Sequence, residues 1–191
     1  MTTGESSNNN AVEVDGIRFE TFMSNRMLIV PVKRTSQDDL TSVQLGFSIT
    51  NNTSTPYYFS FFQFIPEIIT SDGQNINRGY QADGVGLPDA SDLHLTIPGK
   101  SVTFHQTAHC FWQRRHRNKR KQDRYLMFFM PFTNREYWGF QLPYTGKYSI
   151  RFKYEVTKEE VKYYDDFRDE RYLGLIWSGQ IFTPFIEFCI V

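Results

Sequence analysis

The chain has 191 residues and a mass of 22.6 kDa, the size of a single domain. Its 21 basic and 21 acidic residues cancel, so the whole molecule has no long-range field to attract nucleic acid or an anionic membrane. Aromatic residues number 32, against 33 Leu, Ile and Val and only 4 Ala. This composition favours strands over helices, and it excludes a helical bundle, a Rossmann-type domain and a disordered chain.

The N-terminal residues 1–12 are polar and have no periodicity, so we expect a disordered tail followed by one domain over residues 13–191. No signal peptide is recognisable, and each apolar run is too short or too polar to form a transmembrane segment. We therefore expect a soluble cytoplasmic protein. In that compartment Cys110 and Cys189 are expected to be buried structural thiols.

Short strand-like segments then follow one another, separated by turn residues. Residues 17–23 alternate weakly, and Pro31 interrupts an apolar run over residues 27–33, as is typical of an edge strand. Residues 43–50 and 146–156 alternate cleanly between apolar and polar side chains, which predicts two half-buried antiparallel strands. We expect their apolar faces to form one core, made of Val43, Leu45, Phe47, Ile49, Tyr148, Ile150, Phe152 and Tyr154.

The remaining segments differ in how clearly they predict strands. Residues 57–65 form an aromatic run that predicts one strand, ended by Pro66. Residues 93–97 and 102–112 predict strands on either side of a tight turn at Pro98-Gly99-Lys100. Further strands are predicted at residues 125–132, 138–142, 173–177 and 180–191. Residues 77–92 predict a long loop, and the charged residues 158–172 predict a short helix or a long loop.

About nine strands separated by turn residues are typical of an antiparallel β-sandwich, with a sheet closed on itself as the alternative. The sequence therefore predicts an all-β fold. We expect an antiparallel immunoglobulin-like β-sandwich with long inserted loops at 77–92, 113–124 and 158–172.

The order of the turn motifs supports this fold. Asn51-Asn52-Thr53-Ser54, Asp72-Gly73, Pro98-Gly99-Lys100-Ser101 and the strand that starts Gly146-x-Tyr148-x-Ile150 follow one another along the chain. The same order resembles immunoglobulin-like bacterial sandwich modules, including the small intracellular proteinase inhibitor family. The resemblance covers about residues 43–156. It implies the fold, and no inhibitory residue is carried over from it.

Few residues suggest catalysis or metal binding. No Gly-x-Ser-x-Gly motif or phosphate-binding loop is present, and the neighbours His109 and Cys110 would point to opposite faces of a strand. His105 and His109 would lie roughly 13 Å apart on one strand, too far to share an ion. His94 could approach His105, and Asp83, Asp89 and Asp92 could bind Ca²⁺, but neither set is complete. We expect no catalytic residue, no cofactor and no metal.

The strongest outlier is a basic run at residues 113–124. It contains seven basic residues and one acid, a net charge of +6, so the other 179 residues carry −6. Such a run is either a solvated hairpin loop or an arm that binds an anionic partner. Phe111, Trp112 and Tyr125 flank it and could stack on bases. The candidate partner-binding residues are Arg114, Arg115, Arg117, Lys119, Arg120, Lys121 and Arg124.

We expect a non-enzymatic binding or assembly module that engages another macromolecule, with residues 113–124 as the candidate site and another protein as the first candidate partner. One alternative is a protein that binds nucleic acid or another polyanion. A second is a carbohydrate-binding or hydrolytic sandwich, because the chain has many aromatic residues that can stack on sugars.

Overall fold

In a computed structural model of the protein, the described residues are 10–30, 40–60, 63–82, 93–114, 124–131, 136–157, 160–164 and 170–191. Within these ranges every named element is a β-strand. The strands are β1 (Ala11–Val14), β2 (Ile17–Met23), β3 (Met27–Leu28), β4 (Thr41–Asn51), β5 (Tyr57–Ser60), β6 (Phe64–Thr70), β7 (Arg78–Ala82), β8 (Leu93–Thr96), β9 (Ser101–Arg114), β10 (Arg124–Pro131), β11 (Glu136–Leu142), β12 (Gly146–Val156), β13 (Glu160–Tyr164), β14 (Glu170–Leu175), β15 (Gly179–Phe182) and β16 (Ile186–Ile190). The prediction of an all-β fold is confirmed.

A seven-stranded antiparallel sheet forms the larger half of the fold. Its strand order is β1-β2-β4-β9-β10-β11-β7, so three of the six neighbouring pairs are consecutive along the chain and three are not. Strand β9 is the longest, with 14 residues, and it pairs with β4 along its first part and with β10 along its last part. The end of β9 therefore extends beyond β4 as one arm of a hairpin.

The second sheet is built around β12. Strand β6 pairs with one side of β12, while β15 and β16 lie end to end along the other side, and β3 adds a parallel edge next to β16. The C-terminal segment is thus structural, as expected, but it is two strands rather than one. Pro184 interrupts it. At the break, the Thr183 amide donates to the Phe152 carbonyl (2.9 Å) and the Thr183 hydroxyl accepts from the Phe152 amide (2.9 Å).

Aromatic side chains from the two sheets meet in one core. Phe47 of β4 stacks on Phe64 of β6 with ring centroids 3.5 Å apart, and it contacts the ring of Phe152 at 5.3 Å. The two buried tyrosine hydroxyls donate to backbone carbonyls, Tyr148 to Tyr144 (2.5 Å) and Tyr154 to Trp177 (2.7 Å). All eight residues predicted for the core are at most 2% exposed. That prediction is confirmed.

Two of the predicted loops are wrong in part. Residues 78–82 form β7, the edge strand of the larger sheet, and only residues 83–92 of the predicted 77–92 loop lie outside the described residues. Residues 160–164 and 170–175 form the hairpin β13–β14 instead of a helix or a long loop. Alternating polar and aromatic residues such as Lys162 and Tyr163 suit strands, and a nearby partner strand outweighs the weak helical spacing.

The expected single strand over residues 57–65 is also wrong. β5 pairs with β8 in a small separate sheet, and β6 begins at Phe64 and continues through Pro66 to Thr70. Pro66 does not end the strand, because at this position β6 is paired with β12 alone, and a proline without an amide proton is tolerated where one side of the strand is unpaired.

Other expectations concern the chain ends and turns. β1 begins at Ala11, so the last two residues of the expected tail belong to a strand, while residues 1–9 lie outside the described ones. The expected edge strand at residues 27–33 is represented by β3, and residues 31–39 are not described.

The predicted turn at Pro98-Gly99 is present. The Lys100 amide donates to the Ile97 carbonyl (3.0 Å) and Gly99 has a φ of 72°, which requires glycine-like freedom.

Candidate binding surface at the β9–β10 hairpin

The basic run is flanked by two paired core strands. β9 and β10 are antiparallel neighbours, and their last described pair of Cα partners is Arg114 and Arg124. The hairpin joining residues 102–112 to 125–132 is therefore confirmed. Of the candidate partner-binding residues, Arg114 is the last residue of β9 and Arg124 is the first residue of β10. Arg115, Arg117, Lys119, Arg120 and Lys121 lie outside the described residues.

The strand alternation separates the aromatic residues beside the basic run onto two faces. Trp112 is partly buried and packs against the core, together with its buried cross-strand partner Leu126. Phe111 and Tyr125 have the opposite parity, so they lie on the other face of the sheet and are half-buried. Of the three aromatics considered for base stacking, only Phe111 and Tyr125 therefore share the outer face.

This outer face carries a cluster of apolar and aromatic side chains, which we call the outer aromatic patch. Phe129 lies opposite His109 on one side and opposite Gly139 on the other. The rings of Phe129 and Tyr137 are 4.4 Å apart between centroids, and those of His109 and Phe129 are 6.4 Å apart. The patch consists of Phe111, Tyr125, Met127, Phe129 and Tyr137, all half-buried.

Two glycines widen the patch towards the edge of the sheet. Gly139 and Gly79 are Cα partners on β11 and β7, on the same face as Phe129. A Cβ atom at Gly79 would meet only the Gly139 carbonyl oxygen at 3.5 Å, and one at Gly139 would lie 3.2 Å from the Met127 methyl carbon. Gly139 is buried and lies close to the Met127 methyl group, whereas Gly79 at the edge of the sheet is exposed.

Around the patch the sheet has almost no charge. Strands β4, β9 and β10 are neighbours and contain no acidic residue, and their only charged residues are Arg114 and Arg124 at the hairpin tip. The outer face of β4 and β9 carries instead hydroxyl, amide and imidazole groups such as Ser42, Gln44 and His105. A polyanion lying on this face would meet no opposing carboxylate from these three strands.

His109 contributes a polar group to the edge of the patch. Its Nδ1 lies 3.0 Å from the Ser42 hydroxyl, and burial lowers the pKa of the imidazole, which favours the neutral ring. Cys110, the next residue, points into the core, and burial raises the pKa of its thiol to about 12. The expected opposite orientation of the two side chains is confirmed. A protonated buried thiol cannot serve as a nucleophile.

The residues considered for metal binding do not converge where they are described. The ring of His94 packs edge-on against Phe104, 5.0 Å away, on the core side of β9, while His105 follows Phe104 and lies on the outer face. The suggested approach of His94 to His105 is therefore wrong. In the described ranges no three His, Cys, Asp or Glu side chains are grouped to hold a metal ion. Asp83, Asp89 and Asp92 lie outside those ranges.

Both cysteines are free thiols, but only Cys110 is fully buried, and Cys189 on β16 is partly exposed. The expectation of buried thiols is therefore confirmed for Cys110 alone.

Comparisons with protein-family models, curated proteins and solved structures find no match to this chain. In the part of the chain that the structure describes, no helix has both the length and the apolar character needed to cross a membrane.

Sequence reasoning did not identify Phe129, Tyr137 and the two glycines as one surface. Their positions on one face follow from the pairing of β10 with β11 and of β11 with β7. The available signal was the alternation of side chains along β9 and β10, which places Phe111 and Tyr125 on one face.

Proposed function

We propose that the protein is a non-enzymatic binding module that engages an anionic macromolecule through the β9–β10 hairpin. The proposal depends mainly on one observation, that the basic run directly connects two paired strands of the core. β9 is paired with β4 from Thr41↔Cys110 to Thr50↔Ser101, so the hairpin arm is a direct extension of the folded core.

The charge of the run supports a partner that is anionic. Seven basic residues within twelve repel one another, and burying them against an apolar core would carry a large desolvation cost. They must therefore face water or a partner. Strands β4, β9 and β10 contain no acidic residue, so these three strands supply no counter-charge to the hairpin.

The proposal also includes a more specific assignment of the fold within the all-β class. The two sheets that share the core are best interpreted as an immunoglobulin-like sandwich, in which the hairpin is an elongated strand connection. The turn motifs at residues 51–54, 72–73 and 98–101 support this assignment. Folds of this kind commonly present binding loops from a rigid scaffold.

The test is binding to two anionic probes, heparin and a 20-base-pair DNA duplex of arbitrary sequence, at about 50 mM salt. Each phosphate neutralised contributes about −0.9 to the slope of log affinity against log salt concentration, so engagement of about five charges gives a slope near −4 to −5. Replacing Arg114, Arg115, Arg117, Lys119, Arg120 and Lys121 by Ser is expected to abolish the binding and to leave the circular dichroism spectrum unchanged.

A matched control removes charge away from the hairpin. Arg26 and Lys100 are exposed residues outside β9 and β10, and their replacement by Ser is expected to leave the salt slope unchanged. If the wild-type protein binds neither probe at about 50 mM salt, the hairpin is a solvated loop and the proposal is wrong.

A further inference from the structure

We propose that the outer face of β4 and β9 binds a neutral, extended polysaccharide. The site is a row of five cross-strand pairs, which we call the neutral polar ladder. It is separate from the basic run, so the inference goes beyond the proposed function. The ladder consists of the pairs Ser42↔His109, Gln44↔Thr107, Gly46↔His105, Ser48↔Thr103 and Thr50↔Ser101.

The ladder faces away from the core. Its residues alternate along β4 and β9 with buried residues such as Phe47 and Phe104. Apart from Gly46, every residue of the ladder is exposed or half-buried. At about 3.4 Å per residue, the eight steps from Ser42 to Thr50 make a strip about 27 Å long and two strands wide.

The lack of charge on the ladder contrasts with the outer face of the second sheet. Outward-facing residues of β12, the strand around which that sheet is built, are charged at four of five positions. They are Lys147, Ser149, Arg151, Lys153 and Glu155. The ten positions of the ladder include no charged residue, although 22% of the chain is charged. Charged side chains keep the β12 face in water, so the composition of the ladder indicates a ligand that is itself neutral and polar.

Hydrogen bonds across the ladder hold its side chains in place without exhausting them. The hydroxyls of Thr50 and Ser101 are 2.8 Å apart, and the Gln44 amide donates to the Thr107 hydroxyl at 3.5 Å. A hydroxyl can donate once and accept twice, so Thr107 keeps its proton and Gln44 keeps its carbonyl oxygen for a ligand. Side chains that are already held lose less conformational freedom when they bind.

An aromatic ring lies at the centre of this polar row. Phe22 of β2 is the Cα partner of Gly46, and a Cβ atom at Gly46 would lie 2.9 Å from the Phe22 Cζ. The tip of the half-buried ring therefore lies over the glycine, between Gln44 and Ser48 along the strand. The C–H groups of a sugar ring can pack on such a ring while its hydroxyls bond the polar groups on either side.

Other classes of partner suit the ladder less well. A protein interface needs an apolar centre, and nucleic acid or an anionic membrane needs cations, whereas the ladder offers one ring and no charge. Sugars joined by equatorial β-1,4 linkages form a flat ribbon that can follow a long, narrow strip. The geometry therefore favours a neutral β-1,4-linked glycan.

Isothermal titration calorimetry with cellohexaose, mannohexaose and xylohexaose tests the inference. We expect at least one of them to bind, with the same affinity at about 50 and about 500 mM salt because no counterions are released. Thr107→Val keeps the branched shape and removes the hydroxyl, so it is expected to weaken binding about fivefold, the effect of one net hydrogen bond. Phe22→Leu keeps Gly46 covered but removes the flat ring, and a similar loss is expected.

Two controls make the result specific. Phe22→Tyr keeps the ring and is expected to bind as the wild type does. Ser149→Ala removes a hydroxyl from the outer face of β12 and is expected to leave the affinity unchanged. Circular dichroism of each variant establishes that it is folded before its affinity is compared with that of the wild type.

The outcomes separate this inference from the proposed function. Absence of binding of all three hexasaccharides to the folded wild type overturns the inference, and so does binding that Thr107→Val and Phe22→Leu leave unchanged. The variant with six hairpin residues replaced by Ser is expected to bind the hexasaccharides normally, and loss of binding there would overturn the assignment to the ladder. Failure to bind heparin and DNA overturns the proposed function alone.

Discussion

At the scale of single residues, the core depends on aromatic rings that reach from one sheet to the other. Phe47 contacts Phe104 of its own sheet and Phe64 and Phe152 of the second sheet, so it contributes to packing within its own sheet and between the two. Because protein cores are close-packed, the space left by a missing ring is not refilled without cost.

Phe47→Ala and Phe152→Ala are each expected to lower the free energy of unfolding by about 3–5 kcal/mol, because each removes a fully buried ring and leaves a cavity. Urea denaturation followed by circular dichroism measures the loss. Ile29→Ala serves as the control, since Ile29 is 69% exposed and its side chain contributes little packing. A loss below 1 kcal/mol for both phenylalanine variants would contradict the assignment of the core.

His109 predicts a pH dependence of stability. Burial lowers its pKa in the folded state below the unfolded value of about 6.5, and the neighbouring strands present no carboxylate to stabilise the charged ring. Well above pH 6.5 the ring is neutral in both states, so it makes no pH-dependent contribution there. As the pH falls below 6.5 the unfolded chain takes up a proton more readily, so stability falls towards the lower folded pKa.

The measurement is the urea midpoint at pH 7.5 and pH 5.5 for the wild type and for His109→Gln. The variant cannot be protonated, so its midpoint is expected to fall less over this interval. Gln44→Asn, on the neighbouring strand β4, changes no titratable group and is the control that is expected to keep the wild-type difference. An identical pH response for wild type and His109→Gln would rule out this role for His109.

At the scale of elements, the sequence predicted strands best where one face is buried and the other is solvated. Strands β4 and β12 alternate cleanly, and both were predicted to within two residues at each end. Strand β7 was missed because glycine and polar residues surround it and its partner, β11, lies more than fifty residues away. The charged hairpin β13–β14 was missed because neither face of its strands is uniformly apolar.

The candidate site was predictable only in its charge. The basic run can be recognised from the sequence alone, but the outer aromatic patch depends on which strands are neighbours in the sheet. Phe111, Phe129 and Tyr137 come from three strands whose order β9-β10-β11 is a property of the sheet. The alternation of side chains along a single strand does not show which residues of other strands lie beside it.

Thr183 is expected to be the critical residue of the broken C-terminal strand. Its hydroxyl accepts from the buried Phe152 amide at the point where Pro184 interrupts the ladder, and so replaces a backbone carbonyl. Thr183→Val keeps the shape but leaves that amide without a partner, which costs about 1–3 kcal/mol.

Thr183→Ser keeps the hydroxyl and is the matched control, with an expected loss of about 0.8 kcal/mol or less for the methyl group. Both variants are measured by chemical denaturation. Equal stability of the Val and Ser variants would show that the hydroxyl bond contributes nothing to the ladder.

At the scale of the whole molecule, the distribution of ligating residues predicts that no metal supports the fold. The described histidines lie on different faces or too far apart, and no described group of three ligating side chains exists. Treatment with a chelator is expected to leave the thermal midpoint unchanged. A fall of several degrees that one added cation restores would point to ligands at residues 83–92, which lie outside the described residues, and would contradict the expectation.

The shared core also predicts how the molecule unfolds. Rings of the larger sheet contact rings of the second sheet directly, as in Phe47 with Phe64 and Phe19 with Tyr154, whose centroids are 5.7 Å apart. Neither sheet can lose its partner without exposing its own buried face, so both are expected to unfold in one transition, as small single domains usually do.

Two probes test this expectation. Trp177 is 5% exposed and packs against Tyr154 of β12 and Phe19 of β2, so its fluorescence reports on the junction between the sheets, whereas far-ultraviolet circular dichroism reports on all strands. Trp112 and Trp138 are replaced by Phe so that Trp177 is the remaining tryptophan. The two urea transitions are expected to coincide in midpoint and slope, and Phe47→Ala is expected to shift both by the same amount because the sheets share one core. Two separated transitions, or a shift seen by one probe alone, would show that the sheets unfold independently.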